Sequence, residues 1–249
     1  MLESERHQII IDQLKVNNTV KLKDLVNLTN ASESTIRRDL TQLEERKYLK
    51  RVHGGAARLQ GKLSEPSMTE KSSKNVHTKQ QIAEYASHFI EEGDSIYLDA
   101  GSTTYELISH LPKNIVVVTN GLMHINSLLE KGITTYLIGG FAKPKTKALI
   151  GRGAFDSLKH YRFDKCFIGV NGVHPEYGFT TPDQEEAQIK QLAISLTREA
   201  YVLADDTKFS EIAFSKIANL DAATIITNNL EPTALEQFNN KTEIKVIQP

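Results

Sequence analysis

In the N-terminal part of the chain, apolar positions recur at helical spacing. From Val76 onward they gather into short β-branched runs that alternate with helical stretches. In SERHQIIIDQLKV, Ile10, Ile11 and Leu14 share a helical face, with Leu2 nearer the terminus. TVKL is a short β-prone piece, and KDLVNLT carries Leu25, Val26 and Leu28 along a second helix. NAS supplies a turn, and Ser32 is placed to cap a third helix, ESTIRRDLTQLEER. On that helix Ile36, Leu40, Leu43 and the stem of Lys47 form one face. Ser34, Arg38, Thr41 and Gln42 point the other way, with Thr35 and Arg37 on the flanks. YLKRVHGGAAR then reads as a strand, a tight turn at Gly54-Gly55 and a return strand.

Two helices, a short turn, a polar-faced helix and a basic hairpin predict a winged helix-turn-helix over residues 1–58. A helix of this kind enters the major groove, where Arg can donate a bidentate pair to guanine and Ser, Thr and Gln read bases or hold phosphates. The candidate DNA contacts are Ser34, Thr35, Arg37, Arg38, Thr41 and Gln42, with Lys50, Arg51 and His53 from the wing. A polar face of this type also fits a solvated surface or a protein-docking bundle. Charge favours DNA: residues 1–74 hold 14 Lys/Arg against 10 Asp/Glu, and the remainder holds 16 against 21.

Residues 59–75, polar and without a clear period, read as a linker, although Glu65-Pro66 can pack on the next domain. Residues 76–249 read as an α/β domain on a mainly parallel sheet. KQQIAEYASHFI is helical, with Ile82, Tyr85, Ala86 and Phe89 on one face. SIYL, IVVVT, TTYLI, KCFIGV and YVLA are strands, and ATIIT and EIKVI are later ones around the helix PTALEQF. TYELISHL, LMHINSLLE, GAFDSLKHY and QEEAQIKQLAISLTREA are the remaining helices.

Five strand ends in this domain are polar or Gly-rich: DAGSTT, TNG, GG, GVNG and ADDTK. In open α/β sheets ligands sit outside the carboxyl ends of the strands, so these ends point to one crevice. The candidate effector contacts are Asp99, Gly101, Ser102, Thr103, Thr104, Asn120, Gly139, Gly140, Asn171, Asp183, Glu185, Asp205 and Lys208. Gly101 lets backbone approach an anion, the following hydroxyls and N–H groups hold it, and Lys208 is its countercharge. Asp99 accepts a sugar hydroxyl or orients the loop, and Asp205 offers a second acceptor. Glu186 and Lys190, four apart, read as a structural pair, and KPKTK is a solvated loop that can bring positive charge to the crevice.

One cysteine, Cys166, excludes an internal disulfide framework and a Cys-rich zinc site, and no metal or cofactor is expected. The N-terminal residues lack the apolar core of a secretory signal, and no apolar run approaches the roughly 20 residues of a membrane span. A cytoplasmic protein that avoids membranes is expected. No GxGxxG or GxxxxGK[ST] pattern is present, which argues against dinucleotides and nucleoside triphosphates.

Arg6, Ile10 and Leu14, followed by Ser32, Thr35, Ile36, Arg37, Arg38, Asp39 and Leu40, resemble the helix-turn-helix signature of the DeoR family of bacterial regulators. KRVHGGA resembles that family's wing. YLDAGSTT, VVVTNGL, LIGG, FIGVNGV, GFTTPDQEEAQIKQ and VLADDTKF are similar to successive blocks of its sensor domain. The resemblance implies a sensor fold similar to ribose-5-phosphate isomerase and CoA-transferase subunits, and a phosphorylated sugar as effector. NASESTIRRDL, KRVHGGAA and YRFDKCFIGVNGVHPEYGFTTPD are most similar to the branch that represses fructose-utilisation operons, which implies fructose 1-phosphate.

The rival reading is a sugar-phosphate isomerase with a fused DNA-binding domain, since Asp183, Glu185 and Glu186 can supply acid and base. Economy favours the sensor: a fused DNA reader makes ligand-dependent DNA affinity the purpose. A two-fold operator then needs a homodimer or homotetramer.

Overall fold

The structure is a computed structural model that describes residues 1–17, 19–46, 48–52, 54–58, 65–230, 235–238 and 240–247. The chain divides into two compact units, Met1–Gly61 and Lys62–Pro249.

The first unit runs α1 (Glu3–Asn17), β1 (Thr19–Lys21), α2 (Leu22–Thr29), α3 (Glu33–Glu45), β2 (Leu49–Val52) and β3 (Gly55–Arg58). The strands form an antiparallel sheet in the order β1-β3-β2. Ile10, Leu14, Leu25, Ile36, Leu40, Leu43 and Leu49 close its core. Asn30 ends α2 in the left-handed conformation, and the Ser32 hydroxyl accepts the Thr35 N–H at the start of α3. Gly55 is required on steric grounds, because a Cβ there would lie 2.0 Å from the Val20 carbonyl oxygen.

Two expected core positions are exposed. Leu2 precedes the first turn of α1, and α2 turns Leu22, Leu25 and Thr29 inward instead of Leu28. Lys47 and His53 lie outside the described residues.

The second unit opens with α4 (Met68–Ser73) and α5 (Val76–Ser87). There follow β4 (Ser95–Leu98), α6 (Ser102–Leu107), β5 (Val116–Thr119), α7 (His124–Glu130) and β6 (Thr134–Leu137). A hairpin of β7 (Phe141–Lys143) and β8 (Ala148–Ile150) leads into α8 (Gly151–Leu158) and β9 (Phe163–Gly169). β10 (Gly172–His174) and β11 (Gly178–Thr181) precede α9 (Gln184–Ser195) and β12 (Thr197–Leu203). β13 (Ser215–Ala218), β14 (Thr224–Thr227) and β15 (Ile244–Val246) complete it.

Residues 65–75 are not extended linker. α4 carries a reciprocal capping box between Ser67 and Glu70, and Met68 donates its N–H to the Lys145 carbonyl at 2.9 Å. Residues 59–64, the rest of that expected linker, lie outside the described residues, as do residues 232–234 of the expected helix PTALEQF. The helix expected through TREA stops at Ser195. Thr197–Leu203 joins the sheet instead, in register with β9 from Phe163 to Gly169, so ladder pairing overrides helical periodicity.

The main sheet is parallel throughout, in the order β15-β14-β12-β9-β4-β5-β6. Its two faces are covered by separate apolar clusters, one around Tyr97, Cys166 and Ile168 and one around Ile96, Leu98 and Phe167. From β4 the chain steps outward to β5 and β6, and from β9 it steps the other way to β12, β14 and β15. The switch point lies between β4 and β9, from which the chain winds in opposite directions, the position at which open α/β sheets form a ligand crevice. Among the described residues no helix is long and apolar enough to cross a membrane.

Candidate functional site

The polar face of α3 presents Ser34, Arg37 and Arg38 to solvent. Arg37 is held by Glu33 at 2.6 Å in an exposed pair, which opens at little cost. Arg38 makes no ion pair or hydrogen bond with a described residue. Thr35 is half-buried, its hydroxyl 2.8 Å from that of Ser32. Gln42 departs from the expected outward direction: it is half-buried, and its Oε1 is enclosed without a hydrogen bond. Arg51 donates a side-chain N–H to the Thr41 hydroxyl at 3.0 Å and its backbone N–H to Glu44 at 2.7 Å. Strand alternation puts Lys50 on the opposite side of β2, exposed. Arg51 therefore ties the wing to α3, while Lys50 faces outward.

Behind this face Asp39 is fully buried. Its two oxygens accept from Arg6 Nε at 2.7 Å and Nη2 at 3.0 Å, a fork-to-fork pair between α3 and α1. Asp39 is structural, and the arginine that pairs with it comes from another helix.

In the second unit all five polar strand ends open on the same side of the sheet, because the strands are parallel. Asp99 follows β4 and is 1% exposed; its Oδ2 accepts the Gly169 N–H at 3.0 Å and the Lys190 ammonium. Thr104 Oγ1 accepts the Gly101 N–H at 2.9 Å and donates back to the Asp99 carbonyl. Asn120 fixes two loops, accepting the Ala100 N–H at 2.8 Å and donating to the Leu149 carbonyl at 3.3 Å. Ser102 and Thr103, at the first turn of α6, have hydroxyls that bond to no described residue.

The remaining expected contacts divide. Gly140, at φ +132°, packs where a Cβ would meet the Ile150 carbonyl at 2.6 Å; Gly139 beside it has open space. Asn171 accepts the Thr181 hydroxyl at 3.1 Å. Asp205, 2% exposed, is occupied by the N–H and hydroxyl of Thr207, and Lys208 lies half-exposed 4.0 Å from it. Glu185 is exposed and turned out of the cluster, whereas Glu186 and Lys190 point in.

A cluster of lysines and carboxylates fills the crevice. Lys143 Nζ donates to Asp183 at 2.8 Å, to Glu186 at 3.1 Å and to Glu65. Burial alone would lower the Lys143 pKa, but these partners raise it well above the ordinary lysine value. Glu186 also accepts the Thr146 hydroxyl at 2.7 Å, and despite burial the Lys190 and Lys143 charges keep its pKa below the usual carboxylate value. Asp183 caps α9 by accepting the N–H groups of Glu185 and Glu186. Lys71 of α4 also reaches this cluster, and desolvation lowers its pKa. Beneath the loop His124 is fully buried, its Nδ1 3.0 Å from the Thr119 hydroxyl and its Nε2 3.4 Å from the Gly101 carbonyl oxygen. Burial lowers its pKa to about 4.

Two family models match the chain: a DeoR-like helix-turn-helix domain over residues 6–62 and a DeoR C-terminal sensor domain over residues 74–229. FruR of Bacillus subtilis (strain 168), described as an uncharacterized HTH-type transcriptional regulator, is 56% identical over 251 residues and 100% of both chains. The chain belongs to the DeoR family. A lactose phosphotransferase system repressor of Lactococcus lactis subsp. lactis is 36% identical over 98% of both chains. Ribose 5-phosphate isomerase A from Methanocaldococcus jannaschii shares 18% identity over 55% of each chain, with a TM-score of 0.40.

As a DeoR-family member the chain is a DNA-binding transcription regulator and not an enzyme. Of the three carboxylates considered for an isomerase, Asp183 and Glu186 are paired with Lys143, and Glu185 is exposed and turned out of the cluster. Five charged groups of the crevice were not among the expected contacts: Lys71, Lys190, Glu186, Lys143 and Glu65. Signals existed for four of them. Lys143 opens the KPKTK loop expected to bring positive charge to the crevice, and Glu65 is expected to pack on this domain. Glu186 and Lys190 lie four apart with Asp183 just upstream. That spacing reads first as a local pair, yet each takes a partner from another element.

Proposed function

We propose that this regulator represses a sugar-utilisation operon, fructose being the first candidate, and that a phosphorylated sugar such as fructose 1-phosphate releases it from DNA. The observation that carries the reading is the crevice at the β4–β9 switch point, where five strand ends meet three lysines in a chain that also bears a DNA reader. The phosphate is held by Ser102, Thr103 and the nearby ammonium groups, with Lys208 at the mouth. Asp99, Thr104 and Asn120 shape the loop. FruR and the lactose phosphotransferase system repressor support a sugar-linked role by their names.

On DNA, α3 enters the major groove with Arg38 at base edges and Ser34, Arg37 and Lys50 on or near phosphates. A homodimer or homotetramer supplies matched readers for a two-fold operator. The test is operator binding by fluorescence anisotropy with a panel of sugar phosphates, product formation being followed in parallel. Release by fructose 1-phosphate without turnover is expected. Operator affinity unmoved by every sugar phosphate would remove the effector assignment.

A further inference from the structure

Glu65 is 7% exposed, and one of its oxygens rests on the Lys143 ammonium. Its other oxygen, Oε1, is enclosed without a hydrogen bond and lies 3.8 Å from Lys71 Nζ. Three more carboxylates share the cluster, and each has an anchor besides lysine. Asp183 accepts two N–H groups at the start of α9, Glu186 accepts the Thr146 hydroxyl, and Asp99 accepts the Gly169 N–H. Among the described residues Glu65 is the one held by lysines alone.

The charges frame a competition. Glu65, Asp99, Asp183 and Glu186 face Lys71, Lys143 and Lys190, so the cluster carries one more negative group than positive. A phosphate entering beside it meets a net repulsion unless a carboxylate leaves. The one with the fewest anchors leaves first.

We infer that Glu65 is a tethered stand-in for the ligand's anion, occupying Lys143 and Lys71 until the phosphate of a sugar phosphate displaces it. This rests on the sugar-phosphate reading of the crevice and makes Lys143 and Lys71 the ammonium groups that pass from Glu65 to the ligand. Displacement also unsettles α4, which begins three residues on, packs against α6 and is fastened by the Met68–Lys145 backbone bond and by Lys79 donating to the Lys71 carbonyl. That stretch is the covalent route from the crevice toward the first unit, which ends at Gly61. Loss of the Glu65 contact is thus a signal that the chain itself carries away from the site.

The test is calorimetric titration of the full chain with fructose 1-phosphate, and separately with inorganic phosphate, in wild type, E65Q and the surface control E92Q. E65Q is expected to bind about tenfold more tightly, a difference of about 1.4 kcal/mol, and E92Q to match wild type. Hydrogen exchange of residues 68–73 is expected to speed up when wild type takes ligand, and to be fast already in unliganded E65Q. Wild-type binding with unchanged or weaker binding by E65Q would overturn the displacement and leave the sensor reading standing. Slower exchange of residues 68–73 on ligand addition to wild type would overturn it without any variant. Absence of binding by every protein to every sugar phosphate would remove the sensor reading and this inference together.

Discussion

Lys190 of α9 donates to Asp99 at the end of β4, 91 positions away, and the pair sits with side-chain exposures of 7% and 1% beside the switch point of the sheet. The contact locks α9 over the loop that opens the crevice. Asp99 has its Oδ2 spent on Lys190 and Gly169, which supports its role in orienting the loop. Removing either partner leaves a buried charge uncompensated, which costs about 3–5 kcal/mol. D99N and K190M are each expected to lower stability toward urea by that amount, with the double variant costing less than their sum. A D99N protein of wild-type stability that accepted different sugars would favour the hydroxyl role.

Much of the architecture was legible because it repeats locally. Ile36, Leu40 and Leu43 mark the inner face of α3, and SIYL, VVVT and TIIT mark strands, by spacing that needs no distant partner. The strand-end loops were legible through Gly and hydroxyl residues. The pairings within the lysine cluster were hidden for the opposite reason. Lys143 reaches Glu65, Asp183 and Glu186 across separations of 78, 40 and 43 residues, and no local pattern carries such pairings. Lys71 was hidden within a stretch that reads as linker, since a six-residue helix draws its stability from capping and tertiary contact, not propensity. Gln42 misled in the other direction: a polar residue on the outer arc of α3 is drawn inward.

The Arg6–Asp39 fork should govern folding of the first unit and not base choice. D39N or R6M is expected to cost on the order of 3 kcal/mol, because removing one partner leaves the other's charge buried and unpaired. R6K should recover only part, since one ammonium cannot satisfy both oxygens. Operator preference among sequence variants should be unchanged at a temperature where the protein is folded. Altered preference with unchanged stability would make Asp39 part of the reading surface.

Arg38 should show the reverse pattern. It is exposed and makes no contact with a described residue, so R38A removes nothing from the fold. If it forks onto a guanine, the loss in operator affinity is about 1–3 kcal/mol, concentrated at one base position. K50A should instead weaken all DNA sequences alike and flatten the salt dependence by about one unit of log–log slope. Full operator affinity in a folded R38A protein would remove α3 from the groove.

His124 makes stability depend on pH in a defined window. The imidazole is enclosed beneath the Gly101 loop and its pKa is lowered to about 4, by burial against weaker opposing pulls from the Gly101 carbonyl and Asp99. In the unfolded chain an ordinary histidine titrates near 6.5. Between these values the unfolded state binds the extra proton and the folded state does not, so stability rises with pH across the window. It is fully present above about pH 6.5 and is lost as pH falls toward 4. Over the two units from pH 7 to 5 this one group is expected to remove about 2 kcal/mol. H124Q should be destabilised at pH 7, because the amide fits the Thr119 and Gly101 contacts poorly, but should show a correspondingly flatter decline toward pH 5. The direct measurement is the NMR titration of the His124 ring in the folded protein, which should remain neutral through pH 5. A midpoint near 6.5 would show the ring reaching water, and the support it gives to the Gly101 loop would have to come from elsewhere.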